Sequence, residues 1–189
     1  MKLSSNYKYV ILCEDAQMKA FVVSFLVNHG VSVRRIHVRN YPCGDGCGEA
    51  FVRREYPKEA HFLQSTNYLR SVLIIFADAD DHTVEERKTI LDDEVRKEIK
   101  GWDRTNEPII MWIPKRQIET WIHFLSGNET DEMIRYRHTG KPISCKDQAV
   151  KYAQYCQDID LFDDKELPSM LAGKTEYKRV CELQEKRGE

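Results

Sequence analysis

The stretch Ser71-Val72-Leu73-Ile74-Ile75-Phe76-Ala77, followed at once by Asp78-Ala79-Asp80-Asp81, decides the fold. It is the most hydrophobic run in the chain, rich in β-branched residues and without polar alternation. That pattern predicts a central strand buried on both faces, as in a parallel sheet covered by helices. Pro108–Ile113 (PIIMWI) reads the same way, and Tyr7–Cys13 (YKYVILC) is a third β-rich run that also stops on acids, Glu14 and Asp15. Val31–Val38 (VSVRRIHV) alternates like a strand.

Helical spacing fills the intervals. Met18, Phe21, Val22, Phe25 and Leu26 follow the first strand, and His29-Gly30 closes that helix. Residues 50–64 read as helical with a break near Tyr56-Pro57. Thr83 stands as an N-cap, with Glu85 and Glu86 in the first turn and Val84, Leu91, Val95 and Ile99 on one face. Pro114-Lys115-Arg116 leads into a helix carrying Ile118, Trp121, Ile122 and Leu125. The expectation is an α/β fold of the Rossmann-like kind: a parallel central sheet of about four strands with helices on both faces. Residues 1–125 form this catalytic unit. Residues 126–189 form a helical C-terminal extension, packed on it or on a partner, with short helices at 146–157, 166–171 and 175–185.

Composition excludes several classes. The 189 residues are 41% hydrophobic, enough for a packed core, and 29 basic against 31 acidic side chains rule out a strongly basic nucleic-acid binder. No stretch reaches the roughly 18–20 apolar residues that cross a bilayer, so no membrane partner is expected. The N-terminal residues lack a signal-peptide core, and the six scattered cysteines read as reduced thiols, so the expected location is cytoplasmic. Cys43 and Cys47 have no second Cys/His pair near them in sequence to complete a zinc site.

In an open parallel sheet ligands bind beyond the carboxyl ends of the strands. Glu14 and Asp15, then Asp78, Asp80 and Asp81, then Lys115 and Arg116 all fall there. Carboxylates gathered so closely repel one another, and a divalent cation relieves that repulsion; hard oxygen ligands suit Mg²⁺. The loop Cys43-Gly44-Asp45-Gly46-Cys47-Gly48 follows the second strand on the same rim. Its glycines, Gly44 and Gly46 among them, let backbone N–H groups approach phosphate oxygens, and Arg39, Arg53, Arg54 and Lys58 flank it with positive charge. Arg39, Gly44, Gly46, Arg53 and Lys58 are therefore the expected substrate contacts. Phe76, Trp112, Trp121 and the Met18/Phe21/Phe25 stripe read as core.

Glu14 with Asp78-x-Asp80, in this strand order, resembles the Toprim domain of topoisomerases, bacterial primases, recombination mediators, overcoming-lysogenization-defect nucleases and ribosomal-RNA maturases. Pro114-Lys115-Arg116-Gln117-Ile118-Glu119-Thr120-Trp121 resembles the Ile-Glu-x-Trp stretch of standalone, RloB-like Toprim proteins of bacterial defence loci. The resemblance covers roughly residues 7–125. It implies a nuclease cutting DNA or RNA with Mg²⁺ or Mn²⁺ held by Asp78 and Asp80. Glu14 would be ligand or general base, Glu119 a further ligand, and Lys115 a stabiliser of phosphate charge. It also implies an anti-phage role beside a co-encoded ATPase, with the C-terminal third a surface for that partner or for a homodimer.

Two departures stand out. Asp15 replaces the glycine common after the glutamate, and Met18 stands where the lysogenization-defect nucleases have a second glutamate, so a second metal would need Asp15 or Glu119. Two other readings compete: an inactive Toprim fold kept as a binding subunit, and a phospho-receiver domain, whose acids and lysine Glu14-Asp15, Asp78 and Lys115 imitate.

Overall fold

A computed structural model describes residues 1–39, 48–66, 70–136, 144–159, 162 and 165–187. Strands β1 (Lys8–Cys13), β2 (Ile36–Val38), β3 (Ser71–Phe76) and β4 (Ile109–Trp112) form one sheet in the order β2-β1-β3-β4, with every pair parallel. Helices α1 (Ala16–Asn28), α2 (Gly48–Ser65), α3 (Val84–Glu98), α4 (Ile118–Leu125), α5 (Lys146–Cys156) and α6 (Pro168–Lys186) surround it. The α/β reading with a four-stranded parallel sheet holds. As its sequence requires, β3 is buried at all six positions.

The period of two along each strand divides the core. Tyr9, Ile11 and Cys13, with Val72, Ile74, Phe76, Ile110 and Trp112, face α1, α4, α5 and α6. Val10, Leu12, Leu73, Ile75, Ile109 and Met111 face α2 and α3. The helices after residue 125 thus enter the same cluster as β1 and α1. Among the described residues no helix is long and apolar enough to cross a membrane.

Three local expectations are corrected. Val33–Arg35 is a 3-10 turn, so the second strand is only three residues long. Helix α2 runs through Pro57 unbroken. A proline there removes one internal hydrogen bond, but Phe51, Val52, Tyr56, Ala60 and Leu63 all bury against the sheet, and that packing keeps the helix intact. The expected helices at 166–171 and 175–185 are one, α6, which runs unbroken through Gly173; there the helix lies against Trp112, Trp121 and Tyr152, and a Cβ would meet the Tyr152 hydroxyl. At the β4 edge Arg179 of α6 donates to the Glu107 carbonyl (2.9 Å) and to that of Ile109.

Candidate functional site

The strand order makes the chain leave β1 toward one side of the sheet and β3 toward the other. The crevice between their carboxyl ends is the topological switch point at which such sheets bind ligands. Register fixes what stands there. Cys13 pairs with Phe76, so Glu14 leaves β1 beside Ala77, and the Asp78 N–H donates to Glu14 Oε2 at 3.3 Å. Asp78 Oδ1 is buried and has no hydrogen-bond partner among the described residues. A lone buried carboxylate oxygen costs free energy, so this one asks for a cation or a proton.

Both carboxyls titrate accordingly. Burial pushes Glu14 up to about 7, against the lowering influence of Arg87 and the Asp78 N–H. Burial, then the charges of Glu14, Asp15, Asp80 and Glu119, holds Asp78 well above the usual carboxylate range. Asp80 sits in a turn closed by the His82 N–H on the Ala79 carbonyl (2.9 Å), with φ of +53°. A non-glycine residue in this left-handed region is disfavoured by about 1–2 kcal/mol, though aspartate tolerates it better than most.

Each expected residue has a definite place. Glu119 lies in the first turn of α4 and contributes to the field at Asp78. Asp15 caps α1, its Oδ1 accepting the Met18 N–H at 2.7 Å. Lys115 Nζ donates to the His82 carbonyl. Arg116 holds the Asp80 carbonyl at 3.0 Å and pairs with Asp81, while Arg135 reaches Asp80 Oδ1 at 3.1 Å. Arg39 pairs with Glu59 (2.6 Å), Arg53 with Glu94 (2.5 Å) and Lys58 with Glu55 (3.0 Å). Gly44, Gly46, Cys43 and Cys47 lie outside the described residues. Among those residues, no group of three or more His, Cys, Asp or Glu side chains is arranged to hold a metal ion.

Two neighbours of the crevice differ from the sequence reading, Arg87, which it did not single out, and Gly48, which it placed in the loop after the second strand. Arg87 of α3, its side chain only 4% exposed, bridges Glu14 Oε1 (2.9 Å) and Glu49 Oε1 (2.8 Å). A signal was present: Arg87-Lys88 stands between Val84 and Leu91, inside the apolar stripe of α3. The second is Gly48, the first residue of α2. A Cβ there would lie 2.4 Å from the Glu14 carbonyl oxygen, so the helix start and the Glu14 backbone are in direct contact.

A separate cavity of about 760 Å³, lined by Phe124, Leu125, Lys151 and Lys165 among others, opens at the C-terminal end of α4, the opposite end of that helix from Glu119.

No family model, curated protein or solved structure matches the chain. The site therefore speaks through its own geometry.

Proposed function

We propose that the chain is a Toprim-like, Mg²⁺- or Mn²⁺-dependent nuclease hydrolysing phosphodiester bonds of DNA or RNA at the crevice between β1 and β3. The buried Asp78 Oδ1, without a hydrogen-bond partner among the described residues and two residues past the strand that pairs with β1, carries this reading. Asp78 and Asp80 would hold the cation, with Glu14 and Glu119 beside it; all four are hard oxygen donors, which Mg²⁺ prefers. When bound, the cation neutralises the gathered carboxylates and polarises the phosphodiester.

The chain's own groups divide the remaining tasks. Glu14 would serve as a further ligand or as the base that takes a proton from an attacking water. The Asp78 N–H orients that carboxylate. Lys115 stands next to Arg116 at the same rim and supplies positive charge for the scissile phosphate. Gly44, Gly46, Arg39, Arg53 and Lys58 would meet the nucleic-acid backbone. With near-balanced net charge, nucleic-acid affinity of the isolated chain would be modest, in keeping with a cytoplasmic anti-phage effector working beside a co-encoded ATPase or as a homodimer.

The Glu14–Arg87 ion pair favours a second reading, a Toprim fold kept as a non-cleaving binding subunit, because a side chain already neutralises the first carboxylate. Incubation of plasmid DNA and of total tRNA with either metal, for the natural chain and for Asp78→Asn/Asp80→Asn, separates the two. The nuclease reading expects metal-dependent cutting that the double variant loses. No cutting, with no Mn²⁺ binding by calorimetry, selects the binding subunit.

A further inference from the structure

We propose that Arg87 is a built-in competitor for the cation at Glu14, which on metal entry gives up Glu14 and stays with Glu49 alone; the inference rests on the metal-dependent reading above. Its guanidinium uses two different nitrogens, Nη2 for Glu14 and Nη1 for Glu49. Those carboxylates come from different elements, the end of β1 and the first turn of α2. The two contacts are nearly equal in length, so a guanidinium that gives up Glu14 keeps a charge partner.

Glu14 can also be given up without losing its place. Its second oxygen, Oε2, takes the Asp78 N–H, which orients the carboxylate independently of Arg87. Arg87 is not saturated in its present pose either: its Nε is buried with no hydrogen-bond partner among the described residues. A shift toward Glu49 therefore gives up one contact, keeps the other, and does not dismantle a complete set.

Charge makes the shift necessary. A divalent cation on Glu14 would stand within a few ångströms of a buried guanidinium, where repulsion is far stronger than in water. Lysine or histidine could relieve such a conflict by losing a proton, but arginine stays charged at every relevant pH, so it must move. The neighbouring Lys88 takes no part, because it pairs with Glu85 (2.8 Å) and Glu176 (3.4 Å). Metal affinity at the crevice is then set by how well Glu49 receives the arginine.

Calorimetric titration of the metal-stripped full chain with Mn²⁺ tests this without reference to cleavage. Arg87→Gln is expected to bind Mn²⁺ about tenfold more tightly than the natural chain, the equivalent of about 1.4 kcal/mol. Glu49→Asp keeps the charge but shortens the reach to Arg87, and is expected to bind several-fold more weakly. Glu49 is half-exposed, so this second variant folds even if the first does not. Weaker or unchanged binding in Arg87→Gln, or unchanged binding in Glu49→Asp, overturns the competition while leaving the metal site standing. Absence of Mn²⁺ binding in all three proteins overturns the metal-dependent reading itself, and this inference with it.

Discussion

On one face of the sheet, Trp112 meets Phe25 edge-on at 4.7 Å, Tyr152 at 5.3 Å and Phe76 at 5.7 Å, and its indole N–H reaches the Gly173 carbonyl at 3.2 Å. On the other face, Asp92 accepts from the Tyr56 hydroxyl (2.8 Å), the Trp102 indole (3.2 Å) and Arg104 Nε (3.1 Å). Arg104 then pairs with Glu176 at 2.5 Å, joined there by Lys88 and Arg179. The first face is held by aromatic packing, which needs only shape and volume. The second carries buried charges, each tolerable only while its partners stay in place. Arg87, which reaches the crevice, belongs to the second face. The difference teaches that one side of the sheet is held by shape and volume and the other by paired charge, and that the paired charge reaches the crevice through Arg87.

The largest expected effect breaks the aromatic side. Trp112→Ala should lower unfolding free energy by about 4 kcal/mol, read from the urea midpoint, because the cavity adds to the lost burial. On the charged side Arg104→Met leaves Asp92 with Tyr56 and Trp102 and Glu176 with Lys88 and Arg179, and should lower stability by up to about 3 kcal/mol. A double variant, Arg104→Met/Glu176→Leu, should recover part of that loss, whereas no second substitution that leaves the space empty should rescue Trp112→Ala. Equal rescue on both faces would erase the distinction.

The crevice sharpens the comparison further, since its charges act against the fold. Glu14 has a folded-state pKa near 7, above its ordinary 4.5. Folding therefore takes up a proton between those values, and stability falls as pH rises through that window. Glu14→Gln, which mimics the protonated form, should raise the melting temperature in chelator at about pH 8, by up to about 3 kcal/mol of stability, with the advantage gone below about pH 4. A constant difference across that range would remove Glu14 from the account. The smallest effect belongs to Thr83, whose hydroxyl and Glu86 form a capping box at the start of α3. Thr83→Ala should lower stability by about 1 kcal/mol, with no change in Mn²⁺ affinity.

What could be read from the chain follows the same division. Leu73–Ile75 and Ile110–Trp112 announce buried strands because uninterrupted apolar runs have few other uses, and the acids after β1 and β3 followed once the strands were aligned. Helix α2 was misread at Pro57 because local propensity says nothing of five side chains burying on a distant sheet. The break expected between 171 and 175 is absent, and the missing side chain of Gly173 makes room for Tyr152, which lies 21 residues earlier. The Arg87 bridge is a contact across 73 residues to Glu14, and only its place in an apolar stripe betrays it.

The sheet's two borders carry a consequence of another kind. Among the described residues one is β2, only three residues long; the other is β4, where Arg179 takes the Ile109 carbonyl and, just before the strand, that of Glu107. A short strand and an occupied one both make poor templates for a neighbouring chain's backbone. Among the described residues, strand addition is thus disfavoured at either border, and at the β4 border Arg179 is the side chain that stands in its way.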